Sequence, residues 1–125
     1  MILVDSCGWI EYFGEGSLAE QYAVIIEKTD KQEIVTPTIV IYEVYKRIKC
    51  MRGEEKATEV YAQMSLTRVV ELTNSLAVKA ADISIKKEIA MADAIVVATA
   101  NECGAQIVTS DQHFKKIDGA KFISK

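Results

Sequence analysis

Proline is almost missing from this chain: Pro37 is the only one in 125 residues. With half of the residues apolar, that scarcity excludes a disordered or proline-rich spacer and leaves enough apolar material for a proper core. No apolar run approaches the roughly 18 residues needed to span a bilayer. The opening Met1-Ile2-Leu3-Val4-Asp5 lacks the basic flank and the sustained apolar stretch of a secretion signal, so a cytoplasmic location is expected. The three cysteines (Cys7, Cys50, Cys103) are odd in number and far apart, with no C-x-x-C pair. They are read as reduced thiols acting as small apolar packing residues rather than as a disulfide framework or a zinc site.

There is no basic excess either. Eighteen acidic against fifteen basic residues give a formal charge of -3, whereas a general nucleic-acid binder is usually basic. The distribution is less even than the sum. Between positions 46 and 56, Lys46, Arg47, Lys49, Arg52 and Lys56 face only Glu54 and Glu55, a local +3. As a bare charge run this also fits a solvated helix face.

The length suits one domain covering 1–125. Ile2-Leu3-Val4 reads as a buried first strand, and Ile34-Val35 as a second. Ser17 with Glu20 matches a capping box opening a helix with Leu18, Tyr22, Ile25 and Ile26 on one side. Thr36-Pro37 reads as an N-cap and first helical residue. The helix after it runs to about Met51, before Gly53, with Val40, Val44, Ile48 and Met51 as its apolar seam. Further helices are expected over about 54–66 and 75–86, with a third strand at Val69-Val70-Glu71-Leu72 between them. The small apolar residues from Ala92 to Ala100 predict a closely packed helix stopping at Gly104. Gln106–Thr109 is the fourth strand, and Lys121-Phe122-Ile123 an edge strand. Strands alternating with helices imply an α/β fold with a parallel sheet between helices.

Position singles out four of the acidic residues. Asp5 and Asp111 follow the first and fourth strands, where ligands bind in open parallel sheets. Glu43 lies beside the Val40–Val44 seam, and Asp93 in the first turn of the small-residue helix. Each also has a structural role open to it: closing a turn (Asp5), pairing with Arg47 (Glu43), facing a helix dipole (Asp93), or capping the next turn (Asp111). Two carboxylates about 4 Å apart repel by roughly 4 kcal/mol at an effective dielectric near 20. Four gathered together call for cations or for protonation. An all-oxygen site suits Mg²⁺ or Mn²⁺, which can activate water and stabilise the leaving oxygen in phosphodiester hydrolysis.

At these residues the sequence resembles the PIN-domain family and, within it, the VapC-type toxins of toxin–antitoxin pairs. The matching pieces are Val4-Asp5-Ser6, Glu43 within Ile41-Tyr42-Glu43-Val44, Asp93-Ala94-Ile95-Val96-Val97-Ala98-Thr99-Ala100, and Thr109-Ser110-Asp111-Gln112-His113-Phe114. The last looks like the family's T-x-D-x-x-F signature, and together the pieces span nearly the whole chain. The resemblance implies a three-layer α/β/α fold with sheet order 3-2-1-4-5. It also implies a metal-dependent endoribonuclease, commonly a homodimer, inhibited by a cognate antitoxin. Carried over, Asp5, Glu43, Asp93 and Asp111 are the acidic metal-site residues, Asp5 and Asp93 the most direct. Glu43 assists in placing metal or water, and Asp111 completes a second metal position or binds through water. Ser6 and Thr109 match positions whose hydroxyls support the site.

Arg47, with Lys46 beside it, lies one turn from Glu43 and is expected to grip an RNA phosphate. His113 reads as a surface loop residue, although an imidazole there would also suit a metal. Trp9, Tyr12 and Phe13 read as core, with base stacking as the alternative. Tyr45, Tyr61 and Met64 are candidates for a dimer surface. The competing readings are a PIN nuclease that processes RNA or cuts DNA without being a toxin, a receiver-like signalling domain, and a non-catalytic partner-binding module. A receiver needs an aspartate ending a central third strand, and Val70-Glu71-Leu72-Thr73 offers none.

Overall fold

A computed structural model describes residues 1–124 of the chain. Five strands, β1 (Ile2–Val4), β2 (Ile34–Pro37), β3 (Arg68–Val70), β4 (Gln106–Thr109) and β5 (Lys121–Phe122), alternate with six helices. These are α1 (Ser6–Phe13), α2 (Ala19–Lys28), α3 (Thr38–Arg52), α4 (Glu54–Met64), α5 (Asn74–Lys87) and α6 (Met91–Cys103). All strand pairs are parallel and the sheet order is β3-β2-β1-β4-β5. Helices flank the sheet, so the expected three-layer α/β/α arrangement with order 3-2-1-4-5 is what forms.

The central strands are short and apolar because they are covered on both sides. Leu3, Val4, Ile34, Val35 and Val108 are fully buried. Val40, Val44 and Ile48 of α3 join them as the expected seam. Met51 does not: it is 48 % exposed, because the seam's last step carries it off the end of the core. The small residues of α6 do the job their size suggests. Ala94 and Ala98 let α5 close down, with Leu76 and Ala80 between the two helices. Gly104 ends α6 in the left-handed region (φ 65), as glycine does without Cβ strain.

Several local expectations are corrected. The chain turns helical at Ser6, immediately after β1, and this first helix is not foreseen from its mixed, aromatic-rich sequence. Ser17 does not cap α2: its N-cap is Leu18, with no side-chain cap bond. The α1–α2 connection is already closed by Gly16 N–H donating to Glu11 O (2.9 Å) and Ala19 N–H to Gly16 O (3.1 Å), which places Ser17 inside the turn. Thr36 is the third residue of β2, and Pro37 is the N-cap of α3 rather than its first residue. The third strand sits one residue earlier than expected and stops at Val70, because Val35, Thr36 and Pro37 set its register against Arg68, Val69 and Val70. Cys50 is exposed rather than a packing residue.

Strand order fixes where a ligand can sit. β1 has β2 on one side and β4 on the other, so the chain reverses its direction of travel across the sheet beside β1. The crevice beyond the carboxyl ends of β1 and β4 is therefore the switch point at which such sheets bind ligands. β3 is an edge strand, which is the wrong order for a receiver domain, whose third strand is central.

Candidate active site

Asp5 leaves β1 and becomes the N-cap of α1, its Oδ1 accepting from Gly8 N–H at 3.0 Å. Its Oδ2 accepts from the Thr109 hydroxyl of β4 at 2.6 Å. The same Thr109 oxygen accepts from the Asp111 backbone N–H at 2.9 Å. One hydroxyl thus ties the ends of the two strands together and aims both aspartates at the crevice. Asp111 caps the short 3-10 turn at 112–116, its Oδ1 accepting from His113 N–H at 2.9 Å. The turn-closing and capping roles open to Asp5 and Asp111 are both real, and neither competes with a second role for the remaining lone pairs.

Glu43 reaches the same place from α3, flanked by the buried Val40 and Val44, and Asp93 from the first turn of α6. The charges of Asp93 and Asp111 act on both Asp5 and Glu43. Asp5 is only 3 % exposed, and burial pushes its carboxyl up to about 6; bonds from Thr109 and Gly8 pull it back, and the charges of Asp111 and Asp93 push it further up. Burial also raises Glu43, opposed by the Ser6 hydroxyl and reinforced by Asp93 and Asp111. Asp93 is raised by burial, then by Asp111, while His113 works the other way. Among the described residues no lysine or arginine forms a salt bridge with any of the four. The anticipated Glu43–Arg47 pair is not made; Arg47 Nε points at Met51 Sδ, 3.2 Å away.

Desolvated carboxylates that repel one another, with His113 as their only basic neighbour at ion-pair distance among the described residues, have the chemistry of a divalent-cation site. Among the described residues, no group of three or more His, Cys, Asp or Glu side chains is placed to hold a metal ion by itself. Mg²⁺ and Mn²⁺ do not require one, since they are usually held by one or two carboxylates with water and substrate phosphate completing the coordination. The donors, all carboxylate oxygens, are of the chemical type such ions take.

Two open grooves leave the crevice. One, of about 580 Å³, runs past Ser6 and Glu43 to Tyr42, Lys46 and Arg47. Lys46 Nζ sits 5.7 Å from the centre of the Tyr42 ring. The other, of about 330 Å³, is lined by Asp93, Gln112, His113 and Lys116. Trp9 is buried and stacks on Phe13 at 5.6 Å, so it belongs to the core and presents no face to a base.

A contact the sequence did not disclose steadies the loop carrying Asp111. The Tyr22 hydroxyl of α2 donates to Ser110 Oγ at 2.9 Å, and Cys7 Sγ lies 3.5 Å from the same oxygen. Tyr22 is fully buried and its periodicity marked it only as core. No local pattern could reveal a partner 88 residues away.

The chain belongs to the PIN domain family, whose family model matches residues 2–120. No curated protein matches it. Among solved structures it is similar to a toxin–antitoxin complex from Klebsiella pneumoniae (TM-score 0.79, 21 % identity, 96 % of this chain and 95 % of that one). It is also similar to VapC20 of Mycobacterium tuberculosis, a sarcin–ricin loop cleaving toxin (TM-score 0.82, 17 % identity, 99 % and 100 %). A third likeness is to FitAcB from Neisseria gonorrhoeae (TM-score 0.76, 21 % identity, 98 % and 96 %). At these identities the likenesses speak for the fold.

Proposed function

We propose that the chain is a single PIN domain, 1–125, acting as a Mg²⁺- or Mn²⁺-dependent endoribonuclease and serving as the VapC-type toxin of a toxin–antitoxin pair. The observation that carries this is the meeting of Asp5, Glu43, Asp93 and Asp111 at the sheet's switch point, with three of the four carboxyls raised and no lysine or arginine bridged to them among the described residues. Asp5 and Asp93 would hold the ion most directly, with Asp111 at a second position. When bound, the ion would polarise the phosphoryl group and offset charge on the leaving oxygen.

The other steps fall to the chain itself. Thr109 holds Asp5 in one orientation, and the Ser6 hydroxyl favours the charged form of Glu43. Glu43, its carboxyl raised by burial, is suited to position the attacking water and take its proton. Lys46 and Arg47, in the groove that starts at Glu43, would grip the phosphates of the incoming strand. The toxin–antitoxin setting of the Klebsiella likeness supports an antitoxin partner, and the proposed site of action is the cytoplasm. For a homodimer, the exposed Tyr61 and half-buried Tyr45 around an apolar groove are the candidate surface; Met64 is buried and is withdrawn from it.

The test incubates the protein with a mixture of structured RNAs, in Mg²⁺, in Mn²⁺ and in chelator, beside Asp5→Asn. Cleavage that needs metal and disappears in the variant is expected. Cleavage of DNA alone would replace the substrate. No cleavage with any ion, and equal metal affinity in both proteins, would overturn the assignment in favour of a partner-binding module.

A further inference from the structure

Helix α3 carries two side-by-side pairs at a spacing of four residues, Tyr42 with Lys46 and Glu43 with Arg47. Ser6 and Ile10 of α1 stand across from them, and the groove of about 580 Å³ lies between the two helices. Tyr42 is the one aromatic residue among those lining it, and it is 58 % exposed. A single exposed aromatic is ordinary. Its neighbours make this one informative. Lys46 Nζ sits 5.7 Å from the ring centre, near the outer limit of a cation–π contact, so it flanks the ring and leaves most of it open. Neither Lys46 nor Arg47 pairs with a carboxylate among the described residues. Two such cations call for an anion, and the open ring beside them calls for a flat apolar face. A strand of RNA carries both, phosphate and base, on every nucleotide.

We propose that Tyr42 is a specificity-determining residue, its ring stacking on an unpaired base of the RNA strand while Lys46 and Arg47 hold the neighbouring phosphates. This rests on the chain binding RNA beside the carboxylates, and adds a base contact to the phosphate contacts. Bases inside a duplex have both faces covered, whereas loops, bulges and ends can splay one out onto an aromatic ring. Stacking tolerates any base, so Tyr42 selects for an unpaired nucleotide rather than for a sequence. Ile10 and Met51, lining the same groove, keep the surroundings of that base apolar. Tyr42 also borders the apolar groove of Tyr45 and Tyr61. No charged side chain lines that second groove, so it offers Lys46 and Arg47 no anion.

The test uses Asp5→Asn as the parent protein, so that RNA stays uncut. The probe is a single-stranded oligouridylate with one central 2-aminopurine, whose fluorescence falls when it stacks. Binding to the parent is expected to quench it. Adding Tyr42→Ala should remove the quenching and weaken binding by about 5-fold to 100-fold. Tyr42→Trp should keep both. The slope of log affinity against log salt should match the parent's, because no phosphate contact is lost. An exposed ring can be removed without unfolding the chain, which the melting curve checks. Equal affinity and quenching in Tyr42→Ala would overturn the base contact and leave the nuclease reading standing. So would a loss of affinity accompanied by a change from dimer to monomer in sedimentation, which would assign the ring to the second groove. A parent that binds structured RNAs but not the single-stranded probe would also overturn it. If the parent binds no RNA and the wild type cuts none, the nuclease reading falls and the base contact with it.

Discussion

At the residue scale the cost of the site is concentrated in Asp5. A carboxyl raised from 3.8 to about 6 by burial binds its proton more tightly in the folded than in the unfolded chain. Folding of the metal-free protein is therefore favoured while Asp5 is protonated, and loses stability as pH rises from about 4 through about 6. Above that window the ionised, desolvated group costs on the order of 3 kcal/mol as an upper bound. Asp5→Asn should remove this dependence, because the amide carbonyl can still accept from Gly8 N–H while carrying no charge. In chelator, urea unfolding near pH 7.5 is expected to show the variant more stable by about 1–3 kcal/mol, with the gap closing near pH 4. A variant less stable at neutral pH would mean that the Thr109 and Gly8 bonds outweigh burial. The same substitution should abolish cleavage, so stability and activity move in opposite directions at one position.

At the scale of elements, the site depends on how tightly α1 sits against β1 and α2. Gly8 is buried there, and a methyl added to it would come within 2.5 Å of Tyr22 Cε1 and 2.7 Å of Val4 Cγ1. Both neighbours are fully buried and cannot swing aside. Gly8→Ala should therefore lose about 1–3 kcal/mol from overpacking, more than the roughly 1 kcal/mol that alanine contributes to a helix interior. Denaturant titration measures the difference; an unchanged midpoint would mean that α1 shifts outward at little cost. The tight fit also explains why α1 escapes a sequence reading. Ser-Cys-Gly-Trp has neither a clear apolar period nor strong helix formers, and what makes the segment helical is the Asp5 cap and its packing. The strands and α6, by contrast, carry their signal locally, in apolar runs and small residues, and were legible to within a residue or two.

At the scale of the molecule, the acidic crevice and the basic groove are parts of one surface despite the net charge of -3. Arg47 lies in the groove that begins at Glu43 and makes no salt bridge among the described residues. Arg47→Ala, measured on uncut RNA in the Asp5→Asn background, should weaken binding and reduce the slope of log affinity against log salt by roughly one phosphate contact. An unchanged slope would remove Arg47 from the RNA path.

Neighbouring residues were enough for the class of fold, through strands and helices whose periods are local, and they marked four carboxylates at strand ends and helix turns as the candidate site. They could not determine who meets whom. Thr109 bonds Asp5 across 104 positions, and Tyr22 bonds Ser110 across 88, only because the sheet sets β4 beside β1. His113 reads as loop in sequence, and it faces two aspartates only because the cap at Asp111 turns the chain back. Local pattern arises from short-range backbone geometry, while these contacts arise from strand order, which no stretch of neighbouring residues encodes.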